Sequence, residues 1–536
     1  MIINKINREK VIEDKKDFDI LNMLNSISNF EVFTPYDVAL NMVNLIPIEV
    51  FKDPSSRFLD PAVKSGIFLR EIVYKLVEHL PNIKHNDSIT GKTYDLSDPK
   101  QRVSHILRNM VYGIAISELT SYVSRRTLYG VMEANADKAT EYLDSKIKAG
   151  VLKIDRSEED HLDFNNFFDH TIFNTPDRVG YEREGNIFYP NDETTIANED
   201  THHPFINDTD HKFINLIKDG KMKFDVIIGN PPYQVNTNKN GAQARPIYNT
   251  FVEKALSLNP DYLTMIIPAR WFSGGMGLNS FRDFMINQDK IREIVYFKNS
   301  NDCFNGVQIK GGICYFLYDK KHSGLCSFND GEINIKRKLN QFKDVLISDN
   351  KSISIINKIG NVNNLSELFS SISPFGLPTN FNGGDENKNN FFDIKIYGTR
   401  KIFYINESEI KKQHKSFNKF KVLLPQASDG SGVYPISVLG KPILANPKEV
   451  CTATYIVSGF FNNKTEAENY ITYIKSKFVR YLISLLKNTQ HLSKSKVCLV
   501  PIQDFNEEWT DEKLYKKYNL TEEEINHIEE SIRPME

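Results

Sequence analysis

The sequence predicts an α/β fold with a mostly parallel sheet, followed by a smaller mixed α+β region. Three observations carry this expectation. Short β-branched runs alternate with amphipathic helical stretches from Phe33 to about Asp319. The apolar runs are strand-sized, as in FDVIIG (224–229) and LTMIIP (263–268). The 536 residues, 40% hydrophobic and 25% charged, have globular composition and room for two to four domains at roughly 150 residues each.

The elements follow in order. Residues 1–28 read as a short polar arm. Strands are expected at RFLD (57–60), VYGIAI (111–116), FDVIIG (224–229), LTMIIP (263–268), EIVYF (293–297) and GICYFLYD (312–319). Between the first two, apolar residues at 68, 69, 72, 73, 76, 77 and 80 give a helix period. Residues 246–258 and 278–287 read the same way. The last two strands are joined only by NSNDCFNGVQIKG, which predicts a hairpin and one antiparallel strand in the sheet. Residues 130–222 break the rhythm and read as an acidic insertion of loops and short elements. Residues 320–420 mix short strands with a polar loop, NFNGGDENKNNFF. Residues 465–487 predict one helix, with Ala467, Tyr470, Ile471, Ile474, Phe478, Tyr481, Leu482 and Leu485 on a shared face. Thr521 and Glu524 fit a capping box that opens a last helix. The expected domains are therefore 1–28, 29–325 with its insertion, 326–500, and a helical tail at 501–536.

Composition excludes several classes. No stretch approaches the ~20 apolar residues of a membrane helix, and the charged N-terminus is no secretory signal, so no membrane partner is expected. Five cysteines with no CxxC spacing predict free thiols in a reducing cytoplasm and no cysteine zinc site. His202, His203 and His211 sit in a polar loop and read as solvated, so no metal is expected. The net charge is −2, but it is unevenly spread. Residues 1–330 carry about −6, residues 331–500 about +11, and residues 501–536 about −7. The basic block holds KKQHKSFNKFK (411–421) and YIKSKFVRYLISLLKNTQHLSKSK (473–496), with aromatics and amides interleaved. Its bland reading is a solvated lysine-rich surface; the functional one is a nucleic-acid face. Lys475, Lys477 and Arg480, then Asn488, Gln490 and His491, are its candidate DNA contacts, the last three otherwise reading as helix-capping polars.

Two segments carry chemistry. GNPPY (229–233) directly follows the strand FDVII. Two prolines cannot continue a strand, so they fix a turn at its carboxyl end, where open α/β sheets bind ligands. The Asn230 side-chain oxygen and the carbonyl of Pro231 offer two acceptors for one planar NH2 group, Pro232 stiffens the turn, and Tyr233 offers a ring for stacking. RFLDPAVKSGIFLREI (57–72) is a strand, a small-residue turn and a helix. Asp60 at the strand end suits a zwitterionic cofactor better than a phosphate. Upstream, EVFTPYDVALNM (31–42) places Thr34-Pro35 before a helix, which alone reads as an N-cap.

Together these pieces resemble the γ-class DNA adenine-N6 methyltransferases, more narrowly the Eco57I-like restriction-modification methylases. The matching segments are FTP (33–35), FLDPAVKSGIFL (58–69), YGIAISEL (112–119), FDVIIGNPPYQ (224–234), MIIPARWFSGG (265–275), CFNGVQIKGGICYFL (303–317) and the passage 488–535. The resemblance implies a Rossmann-like, seven-stranded S-adenosylmethionine-dependent methyltransferase sheet with a C-terminal mixed α+β DNA recognition domain. It implies site-specific methyl transfer from S-adenosylmethionine to adenine N6 in double-stranded DNA, as the modification component of a restriction-modification system. Cofactor contacts would fall on Phe33, Thr34, Asp60, Ala62, Ser65, Gly66 and Glu118. Asn230, Pro231, Pro232 and Tyr233 would form the catalytic turn, with Tyr233 and Phe304 enclosing a flipped-out base.

Two positions depart from the family pattern. Lys64 stands where many members have glycine, and Ala115 where many have an acid that holds the cofactor ribose; Glu118 is the substitute. Three other readings remain open: a protein-glutamine methyltransferase, an RNA methyltransferase, and a DNA-recognition subunit with weak catalysis. The sequence shows no PD…ExK or GIY…YIG pattern, so any nuclease is expected on a separate restriction endonuclease subunit.

Overall fold

The computed structural model describes residues 34–114, 223–235, 245–275, 277–304, 311–342, 345–399, 401–428, 435–487 and 490–535, with short pieces at 124, 127–128, 181–184, 187–190, 205 and 309. The chain divides into two compact units. The first comprises the chain up to Ala269 with Gly275–Gly331 and Ile335–Leu339; the second comprises Arg270–Gly274, Glu332–Asn334 and Asn340–Glu536.

The first unit is built on β1 (Phe58–Asp60), β2 (Lys84–Asn86), β3 (Thr93–Asp95), β4 (Val111–Ile114), β5 (Tyr181–Glu184), β6 (Ile187–Pro190), β7 (Val226–Gly229), β8 (Gln234–Val235), β9 (Arg245–Pro246), β10 (Tyr262–Pro268), β11 (Ile291–Phe297), β12 (Ile313–Asp319), β13 (Cys326–Asn329) and β14 (Asn334–Arg337). β2–β3 and β8–β9 are small separate pairs. The other ten strands form one sheet, in the order β14-β13-β11-β12-β10-β7-β1-β4-β6-β5. Its seven inner strands run from β6 to β11. Six of them are parallel, and β12 alone is antiparallel, to both β10 and β11. The hairpin expected from the sequence is thus the β11–β12 pair. The sheet has ten strands where seven were expected. β13 and β14 extend one edge and β5 the other, and β5 and β6 both come from the stretch read as an insertion.

The inner strands read as unbroken apolar runs because helices cover both faces of such sheets. All four residues of β7 and all three of β1 are buried. Helix Ile67–His79 buries Ile67, Phe68, Leu69, Ile72 and Leu76, the face its period predicted, and helix Tyr36–Leu45 buries Val38, Ala39, Met42 and Val43. The entry to β1 is tied to β7. The Asp225 carboxylate accepts from the Arg57 N–H at 2.9 Å, and the N–H groups of Asp225 and Val226 donate to the Arg57 carbonyl at 2.9 and 3.1 Å. The Arg57 guanidinium in turn donates to buried Asp87 at 3.0 Å. From β1 the chain adds β4 and β6 on one side and β7 and β10 on the other. That reversal leaves a crevice at the carboxyl ends of β1 and β7, the usual ligand position in such sheets.

The second unit carries two three-stranded sheets. β15 (Ile394–Tyr397) lies between β16 (Ile402–Ile405) and β19 (Val450–Cys451). β17 (Phe420–Pro425) lies between β18 (Ile443–Ala445) and β20 (Tyr455–Phe461). The single helix expected at 465–487 is two helices, Lys464–Lys475 and Lys477–Ser484. Ser476 is extended (φ −59°, ψ 149°), and its hydroxyl accepts from the Val479 N–H. The Asp511 carboxylate accepts from the N–H groups of Lys477 and Phe478 at 2.9 and 2.8 Å. These caps satisfy a fresh helix start, so the break costs little. The capping box of Thr521 and Glu524 forms as expected. Residues 501–536, taken from the sequence as a tail, pack within this unit through the Lys358–Glu524, Lys477–Glu529 and Asp349–His527 pairs. All five cysteines are free. Among the described residues, no helix is long and apolar enough to cross a membrane.

Candidate active site

The crevice brings two turns together. β1 ends at Asp60 and β7 at Gly229, on neighbouring strands. A Cβ placed on Gly229 would lie 2.9 Å from Asp60 Oδ1, so glycine is what lets the acid lie against the second turn. Asp60 is 2% exposed, and its Oδ1 accepts from the Ala62 N–H at 3.1 Å. Burial pushes its carboxyl up from 3.8 to about 7, against opposing pulls from that N–H and from the Lys64 ammonium. Ala62, Lys64 and Ser65 are buried in the same turn. The Val63 N–H donates to the Ile114 carbonyl at 2.9 Å, which fixes the turn to the end of β4. Gly66 opens the following helix at φ +74°, and a Cβ there would meet the Ser124 carbonyl at 2.8 Å. Both constraints select glycine.

In the second turn, Asn230 is 2% exposed and its Nδ2 donates to Thr34 Oγ1 at 3.1 Å. This bond orients the amide, with Oδ1 as its acceptor end. Thr34 is therefore not the N-cap that the sequence suggested. Pro35 takes the cap position of helix Tyr36–Leu45, no side-chain cap bond forms there, and the threonine hydroxyl serves Asn230 instead. Pro231 is buried, while Pro232 and Tyr233 are partly exposed. The Tyr233 side chain packs on the core cluster that includes Cys303 and Phe304. Its hydroxyl is enclosed, with no hydrogen-bond partner among the described residues. Burial, then Cys303 and Cys314, hold that hydroxyl well above the ordinary tyrosine range. Tyr233→Phe is therefore expected to keep activity and to raise stability by up to ~1 kcal/mol, read as a shift in urea midpoint; a clear loss of stability would mean the hydroxyl is bonded.

Other sequence-based expectations fare differently. Phe304 is 1% exposed inside the core, its backbone N–H bonded to the Ser300 carbonyl, so it offers no open face to a base. Phe33, Ala115, Glu118 and Asn488 lie outside the described residues. Arg480 is buried and Lys477 is paired with Glu529, so neither stands free to meet DNA as the sequence suggested; the cause is packing against the C-terminal residues. Lys475 is partly exposed, and Gln490 and His491 are exposed.

Sequence reasoning missed the Thr34–Asn230 bond, the burial of Lys64 and a cluster of His85, Asp87 and His105. The signal for the first was a threonine placed before a proline able to begin the helix alone. The cluster lies outside the crevice. His105 is bonded to the Pro54 carbonyl and to Asn109, and Asp87 to Arg57 and Thr90. The His105 and Asp87 atoms are thus engaged in hydrogen bonds, while buried His85 Nε2 has no partner among the described residues.

Comparison with known proteins adds four findings. The model of the Eco57I restriction-modification methylase family matches residues 109–304. A Mycoplasma pneumoniae protein described as "Uncharacterized adenine-specific methylase" is 33% identical over 329 residues, covering 58% of this chain and 72% of the relative. Among solved structures, the type IIL restriction-modification enzyme MmeI in complex with DNA aligns over 92% of this chain and 66% of its own, at 12% identity and a TM-score of 0.44. A nuclease-deletion mutant of the type ISP enzyme LlaGI with a DNA substrate mimic aligns over 92% of this chain and 47% of its own, at 10% identity and a TM-score of 0.46. The chain thus spans less than two thirds of these two solved chains.

Proposed function

Because the chain belongs to the Eco57I-type adenine-specific methylases, we propose that it transfers a methyl group from S-adenosylmethionine to adenine N6 at specific sites in double-stranded DNA, as the modification component of a restriction-modification system. The observation that supports this most is the Asn230 amide, anchored by Thr34 at the end of β7 and adjacent in the sheet to buried Asp60 at the end of β1.

The cofactor supplies a methyl group already activated on a sulfonium, so no protein nucleophile or strong base is required. The first turn fits such a molecule by its donors and acceptors. Asp60 would hold the amino group, and the left-handed backbone at Gly66 sets the start of the following helix. Glu118 is assigned to the ribose hydroxyls. Adenine N6 is a poor nucleophile because its lone pair is delocalised. Asn230 Oδ1 and the Pro231 carbonyl would accept hydrogen bonds from its two N–H groups and so favour a tetrahedral nitrogen with a free lone pair. Tyr233 stacks on the flipped base. Any DNA cleavage is assigned to a separate endonuclease subunit. Incubating the protein with labelled S-adenosylmethionine and mixed-sequence duplex, then mapping the modified base, tests the reading. Label on protein glutamine or on RNA, with none on DNA, would refute it.

Asp60 gives this reading a pH signature. Its carboxyl, raised to about 7, must be ionised to hold an ammonium. Affinity for S-adenosylmethionine is expected to fall about tenfold from pH 8 to pH 6 as the group takes up its proton. Without ligand the sign is opposite for folding. A raised carboxyl stabilises the folded chain below about pH 4, and that contribution is lost as pH rises toward 7. Asp60→Asn should bind at least tenfold more weakly at pH 8 and show a flat profile by calorimetry. Equal affinity in a folded Asp60→Asn protein would remove this contact.

A further inference from the structure

With Lys477 and Arg480 engaged inside the second unit, the loop between β16 and β17 stands out, with four lysines following Glu407 and Glu409. Lys411, Lys412 and Lys415 are exposed and Lys419 is half-exposed. Among the described residues none of the four is in an ion pair, unlike Lys358 and Lys477. Lys421, by contrast, is buried, and its ammonium donates to the carbonyls of Asn446 and Glu449 at 2.7 and 3.0 Å. The loop is well fixed. Ser416 is fully buried and bonded to His414 Nδ1, and the N–H groups of Phe417 and Lys419 donate to the His414 and Ser416 carbonyls. Lys415 and Lys419 both lie over the Phe460 ring, at 4.8 and 5.4 Å. The result is a preformed cationic ridge.

An open hollow of about 330 Å³ lies in the same unit. Phe381 and Phe403 line it with rings stacked 6.0 Å apart, and Asn380, Asn382, Thr399 and Lys401 form its polar part. Among the described residues no carboxylate lines it, although the Glu409 carboxylate lies against neighbouring Gly383. The amides of Asn380 and Asn382 make no hydrogen bond among the described residues. The chain joins ridge to hollow. The Lys412 N–H donates to the Phe375 carbonyl, and a Cβ on Gly376 would lie 2.9 Å from that of Lys411. From Gly376 to Asn380 the chain can reach at most about 14 Å.

Resting on the DNA-methylase reading above, we propose that this face is where the second unit meets the DNA: Lys411, Lys412 and Lys415 hold backbone phosphates while Asn380 and Asn382 read one base pair. The two parts divide the work in the ordinary way, since phosphate contacts position a protein and base-edge contacts select sequence. An asparagine amide matches adenine N7 and N6 with two hydrogen bonds, so an A·T pair is the expected target of the hollow.

The test uses the full chain and short duplexes that carry the mapped methylation site. Lys411→Gln/Lys412→Gln/Lys415→Gln should bind at least tenfold more weakly. Its plot of log affinity against log salt should flatten by up to about three units. Asn380→Ala/Asn382→Ala should keep the parental salt slope and lose at least fivefold discrimination at one base pair. Unchanged thermal midpoints in both variants would show that they fold. Parental slope and parental sequence choice in folded variants of a protein that methylates DNA would overturn this inference and leave the enzymatic reading intact. A parent protein that neither binds nor methylates duplex DNA, or that prefers RNA, would overturn both.

Discussion

Asn230→Ala is expected to slow methyl transfer about a thousandfold while leaving cofactor and DNA affinity near the parental values. The amide oxygen is assigned to the amine as its nitrogen becomes tetrahedral, so its loss falls on the chemical step and not on binding. A thousandfold corresponds to roughly 4 kcal/mol, reasonable for a preorganised polar contact in a water-poor site. The preorganisation is visible in the 3.1 Å bond from Asn230 Nδ2 to Thr34 Oγ1. Thr34→Val should therefore fall between parent and Asn230→Ala, because it frees the amide to rotate without removing the oxygen. Single-turnover kinetics on duplex DNA separates these steps. Full activity in Asn230→Ala would remove the adenine-methyltransferase mechanism, which assigns the amine to this amide.

The second large effect is on folding. Arg480→Ala should destabilise the second unit by about 3 kcal/mol, because Arg480 is 1% exposed and bonded wholly within the protein. Its Nε donates to the Lys475 carbonyl at 2.9 Å and its Nη1 to the Arg533 carbonyl at 2.6 Å. Alanine leaves those carbonyls enclosed and frees the last residues from the helix. Lys475→Gln, on a partly exposed side chain, should be nearly silent. Urea titration decides. An unchanged midpoint in Arg480→Ala, with a flatter salt dependence of DNA binding, would return Arg480 to the surface role that its charge first suggested.

That contrast shows where the sequence was readable. Strands β1, β7, β10 and β12 were visible because a strand buried on both faces must be apolar throughout. The NPPY turn was visible because two prolines permit few conformations. Arg480 was misread because a basic residue on an amphipathic helix looks the same whether it faces water or a carbonyl supplied by Arg533. The break at Ser476 depends on Asp511, a partner beyond the reach of any local pattern. Thr34 was assigned the nearest backbone to cap, while its observed bond spans 196 residues of sequence. β5 and β6 lie in an acidic passage without alternation, so their pairing at the sheet edge left no periodic trace.

The tie between Arg57 and Asp225 has a consequence in time. The two residues are 168 apart in sequence. A ribosome adding roughly 5–20 residues per second needs about 10–30 s to make that stretch. During that interval β1 has emerged but its neighbour β7 does not yet exist. β11 and β12, separated by one loop, close quickly once made. β1 can pair with β4 meanwhile, but its other edge must wait, and Asp60 lacks the second turn that lies against it. When β7 arrives, one long loop closure, whose entropic cost grows only slowly with length, brings Asp60 beside Gly229. The dry acid and the anchored amide therefore arise in a single late pairing event, and a nascent chain shorter than this has neither.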